Sequence, residues 1–484
     1  MLIFLLLAAI VLADYVDYAS VKPQIRFPRY TPAERLQVVD QAEMLLKIYV
    51  NRESKMRHYG PSVDPLPKMV EMRRIMNNLT DQDFHVRMSS IFTNLHDRHA
   101  NYYFPRPYSC YEVIWPIEMT LAESHTPHSP LVVVKSISTV KQVLDLAPEV
   151  ARHVAPGDIV RGINKKSFAQ LFAELSPFTS GANQYGSMRS VLAYLAARHG
   201  YSAILPNETT VEYMIQKPSG ALINVRANLS AQVNKLCLKE AEHEEKRRNN
   251  RDGPVLRIDS VPRRFFNKSQ LDNFAVPPVI NFRSLFRNGD IDLRHAKRDN
   301  IIIWDVLNFK GYKLGFFKFE TFLVQKPMTP RELLLKFRNI LINEMKDTDA
   351  LLIDVRDNGG GSIPFVESIP QFFVEYHKTH FGRALIGGIN SLIYLEEEMR
   401  GTEWYDAYSN PDGSYSKPVK FISNDEANKF GMAYFKSVAV LTNALCYSAC
   451  EIFTAGMQDS EAAFVFGEDP STGGGGANGN ISSI

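Results

Sequence analysis

The stretch Ala350-Leu-Leu-Ile-Asp-Val-Arg-Asp-Asn-Gly-Gly-Gly-Ser362 decides the fold. Its first six residues read as a buried strand, and the strand runs directly into a loop of three consecutive glycines. Upstream, Lys313-Leu-Gly-Phe-Phe-Lys-Phe-Glu320 alternates like a second strand. Between them Thr329-Pro-Arg-Glu332 is a capping box with proline at the first helical position, opening a helix to about Met345. Strand, helix, strand and glycine loop form a βαβ pattern, so from Ile301 onward the chain is expected to be α/β, with its site where strands end in loops. The loop alone has three readings. Walker-type spacing and its lysine are absent, which disfavours a phosphate cradle. It could be a tight turn, or its N–H groups could serve as half of an oxyanion hole, since glycine lets backbone approach a substrate closely.

A second junction lies further on, in Asn443-Ala-Leu-Cys-Tyr-Ser-Ala-Cys-Glu-Ile-Phe-Thr-Ala-Gly-Met-Gln-Asp459. The apolar run Val438, Val440, Leu441 feeds a short turn, and a helix-like run follows at once. Ser448 falls at this junction, beside the unpaired N–H groups of a helix N-terminus, which favour negative charge. A nucleophilic serine gains most there, because the oxyanion formed by its attack is stabilised locally.

At 484 residues the chain is too long for one core. With 45% hydrophobic and 22% charged residues it has an ordinary globular composition, and its net charge of +2 points to no nucleic-acid partner. Residues 14–109 read as helical: Thr31-Pro-Ala-Glu34 is another capping box, and Phe84, Met88, Ile91, Phe92 and Leu95 form an apolar stripe after Thr80. Leu95-His-Asp-Arg-His-Ala100 follows that stripe and precedes strand-like Asn101–Phe104. A hinge carrying Asp97 and His99 is a good place for a general base. Residues 110–217 change to short β-branched runs, and Ala155-Pro-Gly-Asp-Ile-Val-Arg-Gly-Ile-Asn-Lys165 looks like the turn and strand of a PDZ domain, a module that captures extended chain ends. Residues 218–300 are charged and broken by proline and glycine, and read as a linker or insertion.

Three of these segments resemble one family. Leu351–Gly361 is similar to the strand and glycine loop of the tail-specific, or C-terminal processing, serine proteases. Asn443–Asp459 resembles their nucleophile segment, with Ser448-Ala-Cys-Glu451 where Ser-Ala-Ser-Glu is typical. Asp97-Arg-His-Ala100 resembles their Asp-x-His-Thr element. The resemblance covers most of residues 30–484. It implies a helical region, a PDZ-like module and a crotonase- or ClpP-like α/β catalytic core over 301–484. It also implies Ser448 as nucleophile, Gly360 or Gly361 with the N–H of Ala449 as oxyanion hole, and Asp459 as an aspartate that some members need. Where bacterial members place a catalytic lysine, Gly467-Glu-Asp-Pro-Ser-Thr-Gly-Gly-Gly-Gly476 has the frame but carries Gly473, which excludes a serine–lysine dyad there. This version resembles the branch of the chlamydial protease-like activity factor, which pairs its serine with a histidine and a glutamate. His99 is then the base, ahead of His96. The glutamate would fall past Ile484, so either the catalytic domain is C-terminally incomplete, another group orients His99, or the enzyme is impaired.

Residues 1–13 form a short apolar stretch whose small residues suit signal-peptidase cleavage before Asp14. Asn78, Asn207, Asn228, Asn267 and Asn480 head N-glycosylation triplets. The four cysteines, Cys110, Cys237, Cys446 and Cys450, allow two disulfides, and the last two flank Ser448 closely enough to pin its turn; buried thiols are the alternative. The expectation is a secreted serine endopeptidase acting on extended or unfolded polypeptides, with no metal or organic cofactor, no nucleic acid and no stable membrane insertion. The alternative is an inactive relative that binds peptides or apolar ligands, as the interphotoreceptor retinoid-binding proteins resemble this core. A crotonase-type acyl-CoA enzyme would share the core, but the leader argues against it.

Overall fold

A computed structural model describes residues 15–249 and 295–475, apart from 48, 50, 123–129, 300, 310, 325–327, 376–382, 385–400, 402, 410–416, 418 and 421–422. The leader at 1–13, most of the 218–300 stretch, Asn267, Asn480 and Gly476 lie outside the described residues.

The helical region begins as its capping boxes dictate. Thr31 Oγ1 accepts the Glu34 N–H while Glu34 accepts the Thr31 N–H, and the helix Pro32–Lys47 follows. Thr80 caps Asp81–Thr93 by accepting the Asp83 N–H. The stripe Phe84, Met88, Ile91, Phe92 and Leu95 packs with Val39, Leu46, Met69 and Met72 into a separate core, because residues three and four apart share one helix face.

A small β-domain follows, with strand order Ile117–Leu121, Val132–Ile137, Ile159–Ile163, Thr210–Gln216, Leu222–Asn228. The Gly-Asp turn before Ile159 is held by Asp158, which accepts the Ala155 N–H at 2.7 Å and pairs with Lys217 at 2.6 Å. Asn164 and Lys165 both take positive φ (51° and 64°), the conformation of a tight hairpin turn whose twist matches the strands it joins. A second, four-stranded sheet is built from Tyr15–Asp17, Ser230–Val233, Tyr111–Ile114 and Ala197–His199.

One expectation needs correcting here. Residues 222–233 are strands of these two sheets, and Lys235–Asn249 is a helix, so ordered structure continues well past 217. The strand leaves little periodicity in the sequence because, at the sheet edge, Leu222–Asn228 buries only Val225 and Ala227. The helix is tied back through the Cys110–Cys237 disulfide and by Arg106, which pairs with Glu240 and Glu244 at 2.9 and 2.8 Å.

The C-terminal region has a six-stranded sheet in the order Lys297–Arg298, Ile302–Phe309, Tyr312–Phe319, Ala350–Asp354, Val438–Thr442, Phe464–Gly467. The first two pairings are antiparallel and the last three parallel. Thr329 and Glu332 form the expected reciprocal cap, and Pro330–Asn343 lays Leu333, Phe337, Ile340 and Leu341 into the core beneath the sheet. Parallel neighbours Ala350–Asp354 and Val438–Thr442 end side by side, which brings the glycine loop and the Ser448 turn to one edge of the sheet. Among the described residues no helix is long and apolar enough to cross a membrane.

Candidate active site

Ser448 immediately precedes the helix Ala449–Asp459 and has φ 56° and ψ −124°, a combination that L-residues avoid. Such strain costs roughly 1–3 kcal/mol and persists only where surrounding contacts impose it. Those contacts are visible. The Tyr447 N–H donates to Asn358 O at 3.2 Å, the Ser448 N–H to Gly474 O at 2.9 Å, and the Glu451 and Ile452 N–H groups to Ser448 O. The Cys446–Cys450 disulfide closes across the same turn.

Glycine loop and nucleophile turn approach each other more closely than side chains would permit. A Cβ on Gly360 would lie 2.7 Å from Tyr447 O, 2.8 Å from the Ala449 nitrogen and 2.8 Å from Ser448 Cβ. Gly361 is pressed against Phe322 in a parallel bridge, where a Cβ would meet backbone at 2.1 Å. The two proposed oxyanion glycines therefore separate. The Gly360 N–H is already donated to Asn358 Oδ1 at 2.8 Å, whereas those of Gly361 and Ala449 have no acceptor among the described residues. The N–H groups of Gly361 and Ala449 are thus the ones left open beside Ser448, while the missing side chain of Gly360 lets the turn approach.

Gly473 has a physical explanation. A Cβ there would fall 2.0 Å from the Tyr447 ring, so the ring occupies the space that any side chain at 473, lysine included, would need. Tyr447 is in turn fixed by the Ala182 N–H, which donates to its hydroxyl at 3.1 Å.

Arg98 stacks its guanidinium over the same Tyr447 ring, 4.7 Å from the centroid, which sets the Asp97–His99 turn alongside the residue preceding Ser448. His99 Nδ1 lies 3.2 Å from Asp97 Oδ1, and Asp97 also accepts the His99 N–H at 2.9 Å and the Tyr49 hydroxyl. Asp97 is only 8% exposed. Burial alone would raise its pKa, but the hydrogen bonds from His99 and Tyr49 outweigh it and hold the carboxyl at about 2. No hydrogen bond joins His99 to Ser448. His96 points elsewhere: it stacks on Tyr59 at 4.3 Å, and burial lowers its pKa.

Asp459 is not brought to the site. It is exposed at the last turn of the helix that Ser448 begins, and eleven residues at 1.5 Å each put it about 16 Å away along the axis. Asp97 is the residue whose role sequence reasoning missed. In sequence it is only a neighbour of His99, because a turn that folds a carboxylate back onto the ring two residues later has no periodicity to reveal it. Asn358 and Asn443 were missed likewise; Asn443 Oδ1 accepts the Asp357 and Leu445 N–H groups and so joins the two loops.

Residues 313–482 match the model of peptidase family S41. Among solved structures, mature CPAF superposes with a TM-score of 0.59 at 16% identity, covering 90% of this chain and 83% of that one. Mature CPAF complexed with lactacystin gives 0.58 at 16% identity, covering 90% and 84%. No curated protein matches the chain by sequence. Residues 313–482 are thus similar to peptidase family S41, and from the helical region to the C-terminal sheet the chain has the fold of mature CPAF.

Proposed function

We propose that the chain is a secreted serine endopeptidase that cleaves extended or unfolded polypeptides through Ser448, with His99 as general base and Asp97 as the group that orients it. The observation that carries this reading is the Ser448 turn: a strained serine at a helix N-terminus, backed by Gly360 and flanked by two N–H groups without acceptors. His99 would take the Ser448 proton on Nε2, since its Nδ1 faces Asp97. The Ser448 oxygen would add to the peptide carbonyl, and the oxyanion would sit against the Gly361 and Ala449 N–H groups. His99 would return the proton to the leaving amine, and water would release the acyl group by the reverse sequence. Hydrogen bonds between base and nucleophile commonly form only when substrate is bound, which accommodates the lack of one between His99 and Ser448.

The small β-domain, whose Gly157-Asp158-Ile159 turn resembles that of PDZ domains, would select extended chain ends by adding them as a strand. Export is supported by the apolar leader and by the exposure of Asn78, Asn207 and Asn228. An exported chain should begin at Asp14 and lose mass on glycan removal.

The decisive test is labelling by a fluorophosphonate. Wild-type protein should be labelled, and Ser448→Ala should abolish the label without changing the fold. A folded wild-type chain that resists labelling would sink the protease reading in favour of a ligand-binding relative.

A further inference from the structure

We propose that Lys135, on the small β-domain, is a positioning residue for the reaction at Ser448. The inference rests on the serine peptidase reading and extends it to a residue more than three hundred positions away in sequence.

Lys135 lies on the strand Val132–Ile137 and is 7% exposed, unusual for a lysine. Its ammonium reaches two carboxylates. One is Glu118 on the neighbouring strand, at 3.0 Å, which belongs to its own domain. The other is Asp357 at 3.2 Å, the residue that begins the glycine loop of the catalytic domain. Asp357 has φ 66°, an uncommon conformation that Asp tolerates better than most residues, and its carboxylate is held from outside the loop by Lys135.

What Asp357 holds explains why this matters. Its N–H donates to Asn443 Oδ1 at 3.1 Å, and its Oδ1 accepts from Asn443 Nδ2 at 2.9 Å. That pair of hydrogen bonds ties the glycine loop to the segment leading into Ser448. The next residue, Asn358, accepts the Tyr447 N–H and uses its side chain on the Gly360 N–H and Phe319 O. Lys135 thus closes a chain running Lys135–Asp357–Asn443 on one branch and Asp357–Asn358–Gly360 on the other. The Gly360 end adjoins the candidate donor Gly361, and the Asn443 end opens the segment that runs through Ser448 to the other candidate donor, Ala449. Arg189 makes a parallel link, pairing with Asp469 at 2.5 Å, whose carboxylate accepts the Ala444 N–H at 2.8 Å. Two buried cations of the small β-domain therefore grip the two loops that make the site.

A displacement of the donors by an ångström costs on the order of 100-fold in rate. The test measures the rate of fluorophosphonate labelling and the hydrolysis of denatured casein for wild type, Lys135→Met, Lys135→Arg, Asp357→Asn and the Lys135→Met/Asp357→Asn double variant. Asp357→Asn leaves the Lys135–Glu118 pair in place, so it keeps the comparison readable if Lys135→Met is poorly folded. Lys135→Met and Asp357→Asn should each slow labelling and kcat about 100-fold with KM changed less than about threefold. Lys135→Arg should recover most of the rate. The double variant should be no slower than either single, because both act through one contact. Labelling of Asp357→Asn at the wild-type rate, or losses that add in the double variant, would overturn the proposal. Failure of wild type to label would instead overturn the peptidase reading beneath it.

Discussion

Asp97 Oδ1 lies 3.2 Å from His99 Nδ1 and accepts the backbone N–H of the same histidine at 2.9 Å. A carboxylate two residues away thus orients the ring from within its own turn. The resemblance implies a remote glutamate in that role, whereas the contacts seen on the ring are those of the local aspartate. Asp97→Asn should preserve the fold and lower kcat on the order of 10³–10⁴-fold, because an amide stabilises the wrong tautomer and no longer balances the imidazolium. Single-turnover labelling of Ser448 by a fluorophosphonate measures it; an unchanged rate would remove Asp97 from the mechanism.

Glycines 359 and 360 should separate cleanly. A Cβ on Gly359 would meet nothing within 4 Å, whereas one on Gly360 would strike the Tyr447–Ala449 backbone, and Gly360 also has φ +100°. Gly359→Ala should label normally. Gly360→Ala should lose labelling by more than about 100-fold as the turn is pushed away from its donors. Equal behaviour of the two variants would show that the close approach is not needed.

Acid should weaken the helical region through His85. This fully buried ring has Nδ1 2.7 Å from the Tyr102 hydroxyl, and its Nε2 is buried without a partner. Burial holds its pKa down to about 4, so the folded state keeps it neutral while the unfolded chain takes up a proton near 6.5. The unfolded state binds more protons between those values, so stability is complete above about pH 6.5 and falls as pH drops toward 4, by up to about 3 kcal/mol. Thermal melts at pH 7.5 and 5 should differ, and His85→Phe should flatten the difference.

A second acid step belongs to Asp97. Its pKa of about 2, against an ordinary 3.8, means the folded state favours the carboxylate. The resulting stability is present above about pH 4 and lost as pH falls through 2, amounting to about 2 kcal/mol. Asp97→Asn should lack this step in acid titrations followed by circular dichroism.

The Cys110–Cys237 bridge closes a loop of 127 residues. Chain entropy assigns such a closure about 5 kcal/mol, against about 2 kcal/mol for the four-residue separation of Cys446 and Cys450. Replacing the first pair by serines should lower the denaturation midpoint more than replacing the second, while only the second should alter labelling at Ser448. The reverse pattern in urea melts and labelling rates would contradict both assignments.

Much of this architecture was legible because it depends on near neighbours. Thr329 and Glu332 satisfy each other's N–H groups across three residues, and Phe84, Met88 and Ile91 share a helix face, so spacing alone predicts them. The βαβ unit and the serine at a strand-to-helix turn are likewise local. Spacing failed where partners were remote or where a single turn reversed direction. Leu222–Asn228 reads as linker because only two of its side chains are buried. The resemblance put Asp459 among the site residues, yet the helix that Ser448 begins carries it to the far end.

By itself the sequence determined the order of regions, the helix starts, the strand that ends in glycines, Ser448 as the candidate nucleophile and the absence of a lysine at 473. Only the tertiary structure decided which groups meet. It set Asp97 on His99, spent the Gly360 N–H on Asn358 while leaving those of Gly361 and Ala449 open, and filled the place of a lysine with the Tyr447 ring. The physical reason is that local patterns encode which face of an element is apolar and where its ends are capped. Contacts between loops from different elements depend on parallel strands ending side by side, and no spacing within either loop records that.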